Sequence, residues 1–168
     1  MISTTRSRVV EHAVIDASPL IFFARSQHLE LLHAFARTVW VPQSVADEIA
    51  VRSFDDPTTY ALVHCEWLVT KLPTAIPPAI TAWRLGAGES TTLAIAQLHG
   101  IEAIIDDLAA RKCGNSLGIS FRGTLGIVLV AKQLGLILSA RQVINDFLRA
   151  GLYLSDRVLT QALARVGE

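Results

Sequence analysis

The chain has 168 residues, enough for one domain with a full core. Hydrophobic residues are 51% and charged residues 18%, which excludes a disordered chain. Fifteen basic residues balance fifteen acidic ones, which argues against a protein that coats nucleic acid by net positive charge and leaves room for one that acts on it locally. Two cysteines, Cys65 and Cys113, make neither a disulfide scaffold nor a zinc cluster and fit a reduced cytoplasmic chain. The apolar runs Pro19 to Ala24 and Gly126 to Ala131 fall short of the roughly 18–20 residues a membrane span requires. Arg6 and Arg8 are followed by Glu11 and Asp16, which interrupt any signal-peptide core.

Residues 1–11 read as a polar leader, and 12–168 as a single domain. Ala13 to Ile15 form a short apolar strand. Ser18 and Pro19 then start a helix, the hydroxyl as cap and the proline in the first turn. A second helical piece covers about His28 to Phe35, Thr38 to Val41 read as a strand, and Pro42 opens a helix carrying Val45 and Ile49. Ser53 to Thr59 signal a loop, and Trp67 to Leu72 a strand closed by prolines. From Gly86 a helix runs to Gly100, followed by the strand IEAII and a helix ending near Gly118. Ile119 to Phe121 suit a last short strand, and three more helices follow, each stopped by glycine. Strands alternating with helices predict an α/β sandwich on a parallel sheet.

The acids are placed unevenly in this pattern. Asp16 ends the first strand, and Asp106 and Asp107 end the fourth. Ligands of open α/β sheets bind at the carboxyl ends of strands. Helix capping is the ordinary use for either aspartate, but Ser18 already serves the first helix, which frees Asp16. Glu48 borders the apolar stripe of its helix, whereas Asp47 faces solvent. Glu89 lies four residues before Leu93, in line with a buried face, and in the first turn, where the helix dipole favours an anion. Neither glutamate has an obvious basic mate nearby. A divalent ion would satisfy several carboxylates at once, and oxygen ligands imply Mg²⁺ or Mn²⁺. Mutual repulsion should raise the pKa values of such a cluster. From Leu108 to Asn145 there is no acid, while Arg111, Lys112, Arg122, Lys132 and Arg141 supply cations for a phosphate-bearing substrate. The five histidines show no ligand spacing.

The strings VIDASPLI, VPQSVADEI, GAGESTTLAIA, IIDDLAAR and GTLGIVLVAKQLG resemble the PIN-domain nucleases, in particular the VapC-like toxins of toxin–antitoxin pairs. The resemblance implies a PIN-like three-layer sandwich, a four- to five-stranded parallel sheet between helices. It implies Mg²⁺- or Mn²⁺-dependent endoribonuclease chemistry. Asp16, Glu48, Glu89 and Asp107 would be the metal ligands, with Asp106 replacing or assisting Asp107 and Ser18 helping to hold the site. Toxins of this kind usually carry aspartate where Glu89 stands, which implies a weaker activity. Arg111, Lys112 and Lys132 are the expected RNA contacts, and single-stranded RNA the expected substrate. An antitoxin protein is the expected partner, and the aliphatic composition suggests a homodimer. A haloacid-dehalogenase phosphatase would need an aspartate at position 18, where serine stands, and a receiver domain would need its acidic pair on the first strand. The remaining alternative is a non-catalytic PIN-like module that binds a protein partner.

Overall fold

The computed structural model describes residues 9–52 and 55–168. In chain order the elements are β1 (Val10–Ile15), α1 (Ala17–Arg25), α2 (Leu29–Phe35), β2 (Ala36–Pro42), α3 (Gln43–Ala50), α4 (Pro57–His64), β3 (Leu68–Lys71) and α5 (Pro78–Thr81). They continue with α6 (Ala87–His99), β4 (Glu102–Ile104), α7 (Leu108–Ser116), β5 (Phe121–Arg122), α8 (Thr124–Gln133), α9 (Ala140–Arg149) and α10 (Asp156–Ala164). Among the described residues this makes a five-stranded parallel sheet in the order β3-β2-β1-β4-β5 with ten helices.

The sheet is buried on both faces, as parallel sheets with crossover helices must be. Side-chain alternation along β1 sends Ala13 and Ile15 to one core and Val14 to the other. The first core gathers Leu20, Leu32, Ile127, Ile144, Phe147 and Leu163 from α1, α2, α8, α9 and α10. The second packs Leu93 and Ile95 of α6 and Ala110 and Cys113 of α7 over Ala103 and Ile105. β2 and β3 lie on one side of β1, and β4 and β5 on the other. The chain therefore reverses its winding at β1, and the crevice above the carboxyl ends of β1 and β4 is the topological switch point. The N–H of Asp16 donates to Ile104 O at 3.0 Å and locks the two strand ends together.

Three local expectations are corrected. Val10 and Glu11 belong to β1 rather than to a leader, and residues 1–8 of that leader lie outside the described residues. Ser18 does not cap α1: the helix begins at Ala17, Asp16 holds the cap position, and Ser18 is exposed in the first turn. The stretch read as a loop contains the start of α4, with Pro57 in its first turn and Asp56 accepting from the N–H of Thr58 at 2.9 Å. The αL stop at Gly100 (φ 62°) is where the sequence puts it.

Candidate active site

Asp16 sits at the end of β1 and is almost wholly buried, at 4% exposure. Its side chain makes no capping hydrogen bond to α1. α3 packs against α6 beside it, and the contact is close because residue 88 is glycine. A methyl group at Gly88 would stand 2.8 Å from Asp16 Oδ1, 3.3 Å from Val45 Cγ2 and 3.5 Å from Glu48 Oε2. The carboxylates of Asp16 and Glu48 thus flank one point on α6. Val45 and Ile49 are fully buried and hold α3 down, which is what turns Glu48 toward the crevice from an exposed position. Asp47 faces solvent, where its Oδ1 accepts from Gln43 Nε2 at 2.8 Å. Glu89 lies in the first turn of α6, folded back toward Gly86.

The doubled acid after β4 divides its work. Asp107 caps α7, its Oδ1 accepting from the N–H of Ala110 at 2.8 Å. Asp106 turns the other way and accepts from the N–H and hydroxyl of Thr124 at 2.8 and 2.5 Å. Thr124 is fully buried at the start of α8 and fixes that carboxylate beside the crevice. Gly123 gives Asp106 room, since a methyl group there would lie 3.0 Å from Asp106 Oδ1. Neither Thr124 nor the small residues Gly88 and Gly123 figured among the residues expected from sequence. The readable signal was Gly-Thr placed between a short strand and a helix.

Electrostatics link the four acids. Burial pushes Asp16 from 3.8 to about 7, and Glu89, Glu48 and Asp106 add to the rise by repulsion. Only the N–H of Ala17 works in the other direction. The expected repulsion is present, but desolvation leads it. Asp106 is raised as well, by burial, against the pull of Thr124 and Arg111. None of the ion pairs among the described residues uses Asp16, Glu48, Glu89 or Asp106. An unpaired, desolvated carboxylate among three others is a costly arrangement, and a divalent cation is the partner that would relieve it. Among the described residues, no three His, Cys, Asp or Glu side chains are so grouped that they could hold a metal ion as they stand. The four carboxylates are oxygen donors, the kind of group Mg²⁺ or Mn²⁺ takes.

Of the expected RNA contacts, Arg111 stands next to this cluster. It lies one turn into α7, over the Phe121 ring at 5.3 Å from the centroid, and its charge reaches Asp106. Lys112 is exposed on the same helix. Lys132 does a different job: its Nζ is 3.1 Å from Glu168 Oε1 and donates to Leu138 O. It fastens the end of α8 to the last residue of the chain rather than facing the acids.

A family model for the PIN domain matches residues 12–168, nearly the whole chain. The chain belongs to the PIN-domain family. Members of that family are generally nucleases that use divalent metals. No curated protein matches the chain. The five-stranded parallel sheet and flanking helices are a PIN-like α/β fold, and among the described residues no helix is long and apolar enough to cross a membrane.

Proposed function

We propose that this PIN domain is a metal-dependent endoribonuclease, toxin-like in the manner of VapC and acting in the cytoplasm. Asp16, Glu48, Glu89 and Asp106 are its ligand set for Mg²⁺ or Mn²⁺, and Asp107 is released from that set by its capping bond. The observation that carries the reading is Asp16, buried and unpaired among three further carboxylates at the switch point. When bound, the ion supplies Lewis acidity toward the phosphate and an activated water. The chain's own residues do the rest. Thr124 fixes the direction of the Asp106 carboxylate. Gly88 lets α6 approach closely enough for Asp16 and Glu48 to face each other. Arg111 and Lys112 offer positive charge to the RNA backbone beside the acids. Single-stranded RNA suits a crevice between strand ends better than a duplex does. An antitoxin protein and a second copy of the chain are the partners this role requires.

Cleavage of a mixed RNA pool with Mn²⁺ or Mg²⁺, with EDTA, and by the Asp16→Asn protein tests the reading. Cleavage only in the first arm is expected. Equal cleavage in all three arms defeats it. That no three possible ligands stand ready-grouped among the described residues favours a second reading, a non-catalytic module for a protein partner. No cleavage and no heat of Mn²⁺ binding by calorimetry would select that one.

A further inference from the structure

A cavity of about 680 Å³ begins at Asp106 and runs between α7, β5, α8 and α10. We propose that it seats one nucleobase of the RNA strand, the base attached beside the phosphate held at the acid cluster; this rests on the nuclease reading above. Four observations carry the inference.

First, Asp106 lines this cavity and also belongs to the acid cluster, so a nucleotide with its phosphate at the acids has its base at the cavity mouth. Second, the lining holds three arginines against that single acid. Arg111 and Arg165 have no ion-pair partner among the described residues, whereas Arg122 is tied to Glu102 at 3.1 Å. Third, aromatic rings are at hand. Phe121 lies in the wall under the Arg111 guanidinium, and Tyr153 is 87% exposed at the same cavity. Aromatic rings and arginine planes are the surfaces on which unpaired bases stack. Fourth, Gln161 brings an amide with both donors and an acceptor, the group that reads the edge of a base. Apolar walls with a few polar groups at fixed places are the usual build of a small-molecule site, and the volume is in the usual range.

The test has two readouts, the bases flanking the cut in a randomised RNA pool and amide shifts on titrating nucleoside 5′-monophosphates with Mg²⁺. Val158→Trp on α10 fills the cavity, Gln161→Ala removes the reading group and Arg165→Ala the free cation; thermal melts confirm that each folds. The wild type should prefer one or two bases at a single position beside the cut. Val158→Trp and Arg165→Ala should flatten that preference and raise KM about five- to tenfold with kcat within about twofold. Monophosphates should shift Phe121, Tyr153 and Gln161, and Asp16→Asn should keep those shifts while losing cleavage. A cutting enzyme whose base preference and KM survive both variants overturns the cavity inference and leaves the nuclease reading standing. A protein that cuts nothing fails that reading, and the titration then decides: shifts at these three residues sustain the base seat, and a flat titration overturns it. Loss of a protein partner in Val158→Trp with a flat titration makes the cavity a protein groove and overturns it too.

Discussion

Replacing Asp16 by Asn should make the metal-free protein more stable at pH 8, at the same time as it destroys the site. The carboxyl has a folded pKa of about 7 against 3.8 for the free group. A raised pKa means that the folded state holds a proton the unfolded chain releases. Stability is therefore lost as pH rises from about 3.8 to about 7, and it stays lost above that. At 1.36 kcal/mol per unit the full penalty is on the order of 4 kcal/mol, and water entry on ionisation reduces it to about 2–4. Asparagine keeps the shape and carries no charge, so the variant escapes the penalty. Below pH 3.8 the two proteins should be equally stable. At pH 8 the variant should melt roughly 4–16 °C higher. A bound ion in large excess reverses the order, because an ion at about 1,000 times its Kd adds about 4.1 kcal/mol to the wild type and little to the variant. Urea denaturation from pH 3.5 to 9, in EDTA and in MnCl₂, measures both halves. A variant no more stable than wild type at pH 8 in EDTA refutes the reasoning.

Gly88→Ala should bring none of the ~1 kcal/mol that alanine normally adds inside a helix, because its methyl group meets Asp16 Oδ1 at 2.8 Å; Mn²⁺ affinity by calorimetry should fall at least tenfold. Asp106 and Asp107 should separate cleanly. Asp107→Ala should cost about 1 kcal/mol in urea through the lost cap and leave cleavage within about twofold, whereas Asp106→Asn should abolish cleavage. Hydrogen bonds from the Arg141 and Ala140 N–H groups hold Glu168 down to about 2, helped by Lys132 and Ser139. A lowered pKa gives stability that is present above about 4.5 and lost as pH falls through about 2. Melting curves of Glu168→Ala should therefore lie below wild type at pH 7 and converge with it toward pH 2.

The acids legible in sequence were those whose position follows from a local period. Asp16 follows an apolar run that only a buried strand explains, and Glu89 stands one helical turn before the fully buried Leu93. Gly100, as a helix stop, is equally local. The division between Asp106 and Asp107 is not. It depends on where α8 brings Thr124, 18 residues further on, and two adjacent identical side chains carry no signal of that. Lys132 looked exceptional because it interrupts an apolar helix, but its reason is Glu168, reached only when α8, α9 and the chain end pack together. α4 escaped notice because its start, Asp56-Pro57, has the composition of a loop as well as that of a helix cap.

Helix caps elsewhere in the chain show what Asp16 forgoes. Asp56, Asp107, Ser139 and Ser155 each turn their side chain onto an N–H of the first turn and satisfy it. Asp16 occupies the same position on α1 and is more deeply buried than any of them, yet it meets only the N–H of Ala17 at the very start of the helix and makes no capping bond further into the turn. Bending the carboxylate back over α1 would pair it, stabilise the helix and lower the pKa. It instead faces Glu48 across Gly88, in the field of Glu89 and Asp106, where each neighbour raises the cost of its charge. A fold selected for stability alone would not leave this acid unpaired. Destabilising groups gathered in one crevice are the mark of a site that something else completes. The switch point puts that crevice between β1 and β4, so the first apolar strand and the fourth carry acids at their ends while β2 ends in Pro42.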